Sequence, residues 1–356
     1  MTSLTLFGAG KIGEAIIHLL ARTGDYRLRV VDADPQRLAP MKDSGAERIA
    51  ADIRNEGEAA RLVKGQDVVV SACPFYLTPA IARAARSEGA HYLDLTEDVE
   101  STRIVMGLAE GAKSALVPQC GLAPGFISIV AHDLAQRFDR LRDVYMRVGA
   151  LPTYPNNTLK YNLTWSTDGL INEYCNPCQS IRDGSQIETL PLEEVESFSL
   201  DGIDYEAFNT SGGLGTLSET LKGRVENLNY KTVRYPGHRD IVKTLVRDLR
   251  LDRRRDLLKD VLEAAIPMTK QDVVLIYVSV TGEREGRLQQ EVFAKKIYAQ
   301  EIDGRLFSAI QITTAAGICA MVDLLVEGKL PQAGFVRQEQ APLADFLANR
   351  FGAYYA

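Results

Sequence analysis

The sequence feature that most constrains the fold is a glycine-rich turn near the amino terminus. The apolar run 4–7 is typical of a buried parallel strand, and the residues GAGKIG follow it directly at 8–13. In this GxGxxG pattern the first glycine permits a tight turn, the second lets the backbone approach a pyrophosphate, and the third lets the next helix pack closely. The pattern predicts the phosphate-binding turn of a βαβ dinucleotide-binding unit.

The strand that follows the first helix ends in an acid, Asp32, at the spacing where such units bind a ribose. A carboxylate at this tip accepts hydrogen bonds from the ribose hydroxyls of NAD and repels the 2′-phosphate of NADP. Because Ala33 and Asp34 follow, with no arginine directly behind, we expect NAD as the cofactor. Arg37 lies close enough to keep NADP possible, and a solvated strand-end acid is the alternative for Asp32.

Short apolar strands alternate with helical patterns as far as residue 118, which predicts six parallel strands in a doubly wound sheet. A polar and aromatic insert at 154–239 separates longer alternating strands that are typical of an antiparallel sheet. The expected fold class is therefore α/β, with an N-terminal Rossmann domain followed by an α+β domain whose sheet is mostly antiparallel. The long strands are predicted at 144–150, 272–282, 289–300 and 305–314.

The predicted cofactor site lies beyond the carboxyl ends of the parallel strands, where ligands of doubly wound sheets bind. We expect segments 72–76, 96–98 and 119–121 to surround the nicotinamide. Asp52, which follows the third strand, is expected to meet the adenine, or alternatively to cap its own loop. The predicted cofactor-binding residues are Gly8, Gly10, Lys11, Ile12, Gly13, Asp32, Asp52, Ala72, Cys73 and Pro74.

The residues GLAPG at 121–125 precede a predicted helix. A glycine-flanked proline at a helix start offers backbone N–H groups to an anion or a substrate carboxylate. The alternative is a hinge that only turns the chain.

Composition argues against several classes of partner. The formal net charge of −6 comes with no concentrated basic segment, so we expect no nucleic-acid partner. No apolar segment of membrane-spanning length is apparent and the first strand begins at residue 4, so we expect a cytoplasmic protein without membrane contact. The five cysteines include one CxxC, at 175–178, with no second pair and no nearby histidine, so no metal site is expected.

Several further motifs accompany the glycine turn. They are PQCGLAPGF at 118–126, Tyr161-Asn162 followed by Ser166 and Gly169-Leu170, EAFNTSGG at 206–213 with TLS at 216–218, and YKTVRYPGH at 230–238. On these motifs the chain resembles the saccharopine dehydrogenase-like oxidoreductases, and within them the bacterial lysine 6-dehydrogenases. The resemblance implies that the C-terminal segment packs back onto the dinucleotide-binding domain. The predicted domains are a Rossmann domain at 1–122 with 315–356, and a substrate and dimerisation domain of a homodimer at 123–314.

The resemblance also implies an activity, the NAD(P)-dependent oxidation of a C–N bond of an amino acid. Lysine 6-dehydrogenation is the leading reaction, and saccharopine dehydrogenation or reductive formation of a carboxylated polyamine is the alternative. The chain has Thr96, Glu97 and Gln119 where the lysine 6-dehydrogenase pattern has two glycines and an aspartate. These departures keep open an alternative of another class, a non-catalytic NAD-binding sensor.

Amine oxidation requires a group that accepts a proton from the substrate ammonium, and histidine suits this task near pH 7. Of the four histidines only His238 lies in a glycine-bearing loop of the insert, and its alternative role is to stabilise that loop. Lys231, if buried among Tyr230 and Tyr235 with a lowered pKa, is a second catalytic candidate. A solvated strand lysine is the alternative.

The predicted substrate-binding residues also lie in the insert. Arg234 offers a planar fork to a substrate carboxylate, or alternatively forms a structural salt bridge. Thr210, Ser211 and Gly212 combine hydroxyls with glycine-exposed amides, unless they form a plain turn. Tyr161 is expected, before Trp165 and Tyr174, to line a slot for a methylene chain, although aromatic residues at this spacing also form cores.

The number of cations bears on the substrate, because saccharopine carries three carboxylates and needs several of them. The insert offers Lys160, Arg182, Lys222, Arg224, Lys231, Arg234 and Arg239. The sequence does not say which of these converge.

Overall fold

The computed structural model describes residues 1–55 and 57–356, and in it the chain divides into two compact units. The first unit comprises Met1–Ile129 and Gln311–Ala356, and the second comprises Val130–Ile310. The described residues form strands β1–β17 and α-helices α1–α12, numbered in chain order.

The first unit is built on a parallel sheet of seven strands. These are β1 (Thr2–Phe7), β2 (Tyr26–Asp32), β3 (Glu47–Ala50), β4 (Val68–Ser71), β5 (His91–Asp94), β6 (Ala115–Val117) and β17 (Gly334–Phe335). The strand order is β17-β6-β5-β4-β1-β2-β3, and every pairing is parallel. The six predicted strands are all present, and the seventh comes from the C-terminal segment.

Helices connect these strands in the doubly wound manner. They are α1 (Lys11–Ala21), α2 (Pro35–Leu38), α3 (Glu58–Val63), α4 (Thr78–Glu88) and α5 (Val99–Leu108), followed by α6 (Phe126–Ala135), α11 (Ala309–Val326) and α12 (Leu343–Ala348). Leu4, Leu6 and Phe7 of the central strand β1 are fully buried. Each such side chain contributes about 1.5 to 3 kcal/mol of burial free energy, which explains why the apolar run 4–7 forms the middle of the sheet.

The C-terminal segment is tied to the first unit by a buried polar group. Asp323 of α11 accepts hydrogen bonds from the Tyr26 hydroxyl on β2 and from Nε of Arg350, the latter at 2.8 Å. Tyr355 donates to the Thr313 carbonyl and stacks on Phe126 with ring centroids 3.9 Å apart. These contacts join residues near both ends of the chain within one unit.

The helix α11 corrects the expectation that no apolar segment reaches membrane-spanning length. Ala309–Val326 is the one helix among the described residues that is long and apolar enough to cross a membrane by length and composition. Of this helix, 89% is buried inside the structure. A buried core helix passes the same test of length and composition.

The second unit is built on an eight-stranded, mostly antiparallel sheet with the main order β10-β11-β12-β7-β13-β14. Its strands are β7 (Arg140–Pro152), β8 (Cys178–Arg182), β9 (Ser185–Thr189), β10 (Glu196–Leu200), β11 (Ile203–Asn209), β12 (Val225–Arg234), β13 (Asp272–Arg284) and β14 (Arg287–Tyr298). β12 runs parallel to β7, and the other pairings are antiparallel. The predicted fold class is therefore confirmed for both parts of the chain.

Four helices and a small hairpin complete the second unit. They are α7 (Thr167–Cys175), α8 (Leu217–Thr220), α9 (His238–Lys243) and α10 (Arg255–Ala265), with β15 (Gln300–Ile302) paired to β16 (Arg305–Phe307). The insert at 154–239 thus supplies strands to the sheet itself, including β12 next to β7.

The strand predicted at 305–314 is wrong beyond Phe307, because α11 begins at Ala309. The β-branched residues of this segment favour a strand locally. The buried carboxylate of Asp272 accepts hydrogen bonds from the backbone N–H groups of Ala309 and Ile310, at 2.5 and 3.1 Å, and so caps the helix start. A tertiary contact therefore overrides the local preference.

Candidate cofactor and substrate sites

The glycine turn has the geometry that its sequence predicts. Gly8 has φ +99°, and a Cβ atom there would lie 2.6 Å from the Ala72 carbonyl oxygen. A Cβ atom on Gly13 would lie 1.9 Å from the Gly8 carbonyl oxygen, so only glycine fits at either position. Gly10 instead borders open space, and α1 begins directly after it at Lys11 and Ile12 with no side-chain cap. A helix start that borders open space fits a phosphate group.

Asp32 ends β2 and holds the glycine turn in place. Its Oδ2 accepts the Ala9 N–H at 2.8 Å, and its Oδ1 accepts the Asp34 N–H at 2.9 Å. A carboxylate oxygen has two acceptor sites, so both oxygens keep capacity for ribose hydroxyls. Arg37 is exposed and lies 3.8 Å from the Asp34 carboxylate, which makes that carboxylate its charged partner here.

Asp52 is engaged with its own loop. Its carboxylate accepts the Arg54 backbone N–H at 3.0 Å and the Arg54 guanidinium at 2.6 Å. These Arg54 hydrogen bonds lower the pKa of Asp52 to about 2. The geometry matches the loop-capping alternative, and contact with adenine stays a prediction.

The tip of β4 lies against the glycine turn. The Ala72 N–H donates to the Phe7 carbonyl at 2.8 Å, which places Ala72, Cys73 and Pro74 next to Gly8. Burial and then the nearby Asp32 charge raise the pKa of the Cys73 thiol to about 12, so this group is a neutral thiol at physiological pH. The predicted cofactor residues at 8–13, 32 and 72–74 therefore come together, whereas Asp52 is turned to Arg54.

Asp94, the last residue of β5, joins two strand tips at the predicted nicotinamide edge of the sheet, a contact that no sequence pattern predicts. Its Oδ1 accepts the N–H groups of Thr96 and Gln119, each at 3.0 Å, and so joins the tips of β5 and β6. Gln119 has φ +68°, a left-handed conformation that a non-glycine residue rarely adopts. Burial raises the pKa of Asp94 to about 6. The strand predicted at 92–95 contains Asp94, and an acid within such an apolar pattern is the signal that the sequence offers.

The first three amides of α6, which follow the loop at 121–125, are engaged. The N–H groups of Phe126, Ile127 and Ser128 donate to the carbonyls of Gly121, Leu122 and Gly125 at 2.9, 3.0 and 2.9 Å. These helix amides therefore bind the loop itself, and an anion site at 121–125 stays a prediction. The turn-forming alternative describes what is found.

In the second unit, Arg234 lies at the centre of an aromatic cluster with Tyr161, Tyr174 and His238. Its guanidinium carbon is 4.9 Å from the centre of the Tyr161 ring, and its Nε donates to the Tyr174 hydroxyl at 3.1 Å. Nη1 donates to the Val233 carbonyl at 2.9 Å. Arg234 is only 3% exposed, yet no carboxylate in the described part of the chain forms an ion pair with it. The predicted structural salt bridge is thus not found.

His238 is buried, with both ring nitrogens engaged. Nδ1 lies 2.9 Å from the Leu159 carbonyl, and Nε2 lies 3.0 Å from the Tyr174 hydroxyl. Burial, and then the Arg234 charge, lowers the pKa of His238 to about 3, so the ring is neutral near pH 7. In this arrangement Nδ1 donates and Nε2 accepts. The contacts match the loop-stabilising alternative, and a role in proton transfer would run through Tyr174.

Lys231 does not lie among Tyr230 and Tyr235 as expected. Its Nζ donates to the Glu196 carboxylate at 2.9 Å and to the Glu194 carbonyl at 2.7 Å. Glu196 also binds Arg147. Because side chains alternate along a strand, Lys231 and Arg234 project from opposite faces of β12. A catalytic role for Lys231 would have to act on the face away from Arg234.

The hydroxyls of the predicted glycine-containing turn are occupied. Thr210 shares a hydrogen bond of 2.8 Å with Thr232, and Ser211 donates to the Pro177 carbonyl at 2.8 Å. Gly212 has φ +86°, as a tight turn requires. These contacts match the plain-turn alternative.

A small apolar cavity lies beside the aromatic cluster. Tyr161, Tyr174 and His238 form one side of it, and carbon side chains form the rest, among them Leu159, Leu170, Val242, Val246, Leu258 and Leu262. Tyr161 and Tyr174 therefore contact both the cavity and the Arg234 guanidinium. Trp165 stands behind them and donates to the Tyr161 hydroxyl at 3.2 Å.

Metal binding finds no support in residues 1–55 and 57–356. No group of three or more His, Cys, Asp or Glu side chains there is arranged to hold a metal ion. Cys175 and Cys178, the CxxC pair, are free thiols.

Comparisons with known proteins agree with this architecture. Residues 4–116 match the family model of the saccharopine dehydrogenase NADP binding domain, and residues 121–352 match the saccharopine dehydrogenase C-terminal domain. The solved structure of apo saccharopine dehydrogenase (L-Glu forming) from Saccharomyces cerevisiae covers 99% of this chain and is itself covered to 98%, with a TM-score of 0.80 at 17% identity. That likeness shows the fold.

Two curated relatives extend the comparison. The saccharopine dehydrogenase [NADP(+), L-glutamate-forming] of Saccharomyces cerevisiae is 26% identical over 68% of this chain and 57% of its own length. The mitochondrial alpha-aminoadipic semialdehyde synthase of Bos taurus is 18% identical over 82% of this chain and 33% of its own length. The chain thus spans between a third and about half of the length of these relatives. The prediction of a nicotinamide dinucleotide cofactor is confirmed, and together the two family models show that the chain belongs to the saccharopine dehydrogenase family.

Proposed function

We propose that the chain is an NAD(P)-dependent oxidoreductase that acts on a C–N bond of an amino acid. Its relatives include enzymes named for saccharopine and for alpha-aminoadipic semialdehyde, both amino-acid derivatives. The observation that carries the proposal is the buried Arg234 guanidinium, whose hydrogen-bond partners are all neutral. Burial opposes the Arg234 charge, whereas Tyr174, Tyr161 and then Glu173 raise the pKa of Arg234, so the charge is partly compensated without an ion pair. A bound substrate carboxylate would supply the ion pair that this buried charge lacks.

The number of buried insert cations that lack a carboxylate partner favours a substrate with one carboxylate. Of the seven insert cations, Arg182, Lys231 and Arg239 have carboxylate partners, and Lys160 donates to the Pro236 carbonyl at the surface. Lys222 and Arg224 are exposed. Arg234 is therefore the one buried insert cation without a carboxylate partner among the described residues. A single unpaired buried cation in the second unit supports lysine 6-dehydrogenation over saccharopine dehydrogenation.

The cavity beside the aromatic cluster does not accommodate the remainder of such a substrate in this conformation, because its volume is about 10 Å³, close to the space of one water molecule. With its carboxylate at Arg234, an aliphatic chain would lie along Tyr161 and Tyr174 only after the apolar side chains of the lining had moved apart. Oxidised nicotinamide supplies the hydride acceptor, and the glycine turn with the amino terminus of α1, together with Asp32, would hold that cofactor. We expect Asp32 to favour NAD over NADP because its charge repels a 2′-phosphate.

Proton loss in this proposal precedes hydride transfer, because hydride can leave only after the amine has lost its proton. Burial raises the pKa of the Tyr174 hydroxyl and lowers that of His238 to about 3, so both are neutral at pH 7. A histidine with so low a pKa does not take up the substrate proton near pH 7; its Nε2 accepts the hydrogen bond of the Tyr174 hydroxyl and so turns the Tyr174 oxygen toward the Arg234 guanidinium. In this proposal the amine therefore loses its proton to solvent, His238 positions Tyr174, and Lys231 lies outside the site.

The test is formation of reduced nicotinamide from NAD and from NADP with L-lysine, L-ornithine, saccharopine and diamines lacking a carboxylate. We expect turnover with L-lysine and none with the diamines. Turnover with saccharopine alone would replace the one-carboxylate proposal by the reaction for which the yeast relative is named. Binding of NAD without turnover of any amine would instead support a non-catalytic sensor.

A further inference from the structure

Glu206 and Arg234 lie directly opposite each other in the antiparallel pairing of β11 with β12. Residues at opposed positions share one face of the sheet with Cβ atoms about 5 Å apart, and opposite charges at such positions ordinarily attract. Both side chains are buried here, yet they make no ion pair. Their charges must therefore be satisfied elsewhere.

Glu206 is satisfied by the backbone of the turn before α9. Its Oε2 accepts the Gly237 N–H at 2.9 Å, and its Oε1 accepts the Arg239 N–H at 2.7 Å. Gly237 has φ +94°, a conformation that leaves the two amides on the same side as the carboxylate. Both oxygens thus fix the turn that carries His238.

From that turn a short series of contacts leads to Arg234. His238 meets Tyr174 at 3.0 Å, and Tyr174 accepts the Arg234 Nε–H at 3.1 Å. The guanidinium is thereby held against the Tyr161 ring. Glu206 therefore contacts Arg234 only indirectly. Its carboxylate binds the turn, the turn carries His238, and His238 and Tyr174 orient the guanidinium.

We propose that Glu206 is a positioning residue for recognition of the substrate carboxylate. By binding the Gly237 and Arg239 amides instead of the guanidinium, Glu206 leaves the positive charge of Arg234 to the ligand. It also holds His238 and Tyr174, which orient that guanidinium. The inference rests on the proposed function, in which Arg234 binds a carboxylate.

The variants Glu206→Gln and Glu206→Asp test this role. The glutamine would offer one acceptor oxygen for two amides, and the aspartate, one methylene shorter, would not reach both. We expect calorimetric dissociation constants for L-lysine and for hexanoate, measured with saturating NAD, to rise about tenfold or more in both variants. The dissociation constant for NAD should stay unchanged. The matched control is Asp143→Asn, since Asp143 is an equally buried carboxylate on β7 that binds Arg142 and Asn227.

A double-mutant cycle distinguishes positioning from general stability. If Glu206 acts through Arg234, then Glu206→Gln adds no further loss of hexanoate binding in an Arg234→Gln background. A purely structural role would lower the melting temperature and leave the hexanoate dissociation constant of the folded protein at the wild-type value, which would overturn the proposal. If the glutamine variant fails to fold, as judged by lost NAD binding, the aspartate variant provides the same test.

Binding and turnover assays of the wild-type protein distinguish failure of the proposed function from failure of the Glu206 role. Wild-type protein that binds hexanoate but oxidises no amine would refute the enzymatic proposal while leaving the role of Glu206 intact. Wild-type protein that binds neither hexanoate nor L-lysine would refute the role of Glu206.

Discussion

Two acids of the first unit and one arginine of the second unit differ in what surrounds them. In the first unit Asp32 and Asp94 each accept two backbone amides, and so their carboxyl groups hold loops together. In the second unit the Arg234 guanidinium meets a tyrosine hydroxyl, an aromatic face and a carbonyl, none of which carries an opposite charge. The comparison teaches that a carboxyl group satisfied by amides builds the scaffold, whereas a buried charge without a bound counter-charge marks where a ligand belongs.

The largest expected effect is at the backbone of the first unit. Gly13→Ala would place a Cβ atom 1.9 Å from the Gly8 carbonyl oxygen, which no side-chain rotation relieves. We expect NAD binding, measured by calorimetry, to weaken by about 100-fold or more. Gly107→Ala is the matched control, because no atom lies within 4 Å of its new Cβ in α5. Equal behaviour of the two variants would contradict a backbone-built cofactor site.

The next largest effect is expected for Arg234, the buried charge of the second unit, and it concerns KM for the amino-acid substrate. Arg234→Gln should raise KM for the amino-acid substrate by about 10- to 100-fold, because a charged hydrogen bond is lost, and leave KM for NAD unchanged. Arg182→Gln removes an exposed ion pair with Glu194 and should leave both constants as in the wild type. An unchanged KM for the amino-acid substrate in the Arg234 variant would contradict a carboxylate-binding site at Arg234.

The pH dependence of the free energy of unfolding tests the role of Asp94 in the first unit. The pKa of Asp94, about 6, lies above the ordinary value of about 4, so the folded protein binds the Asp94 proton more tightly than the unfolded chain does. The resulting contribution to the free energy of unfolding is complete below about pH 4 and is lost as pH rises through 6. Asp94→Asn keeps an acceptor oxygen and cannot ionise. We expect its free energy of unfolding to exceed that of the wild type by about 2 to 3 kcal/mol at pH 8 and to equal it at pH 4.

Chemical denaturation at both pH values measures this difference. The exposed residue Asp43 supplies the control, since Asp43→Asn should follow the wild type at each pH. An Asp94→Asn variant less stable than the wild type at pH 8 would show that the ionised carboxylate is the form that the loops require.

Lys231 gives the smallest expected catalytic effect. Although burial opposes ionisation, hydrogen bonds from Arg147 and then Lys231 lower the pKa of Glu196, so the group is a true ion pair. Lys231→Met should reduce the free energy of unfolding by about 1 to 3 kcal/mol, while kcat and KM stay within about twofold of the wild type. Loss of kcat at unchanged stability would return Lys231 to the catalytic residues.

The cofactor turn could be predicted from the sequence because its requirements are local. Gly8 and Gly13 exclude a Cβ atom by contacts within the turn and with the next strand tip, and the pattern of glycines expresses this directly. The partners of His238 could not be predicted, because Leu159 and Tyr174 are 79 and 64 positions away. The neutral state of His238 follows from those contacts and from burial.

The prediction at the start of α11 failed for a similar reason. Its first turn has the pattern of a strand, and the carboxylate of Asp272 that binds the Ala309 amide lies 37 positions earlier. Asp94 shows the opposite case. An acid at a strand end is a local signal there, but no motif around it indicates its role.

The strand β17 has a consequence for how the chain is made. Gly334 and Phe335 pair with β6 at the edge of the parallel sheet, and Gln338 donates to the Pro118 carbonyl beside it. During synthesis from the amino terminus, the ribosome completes six strands long before it reaches the seventh. The edge of β6 therefore stays open while the whole second unit is translated, and an open strand edge is a site of mispairing with other chains. The open edge favours mispairing of the nascent chain during that interval, which ends when β17 has emerged.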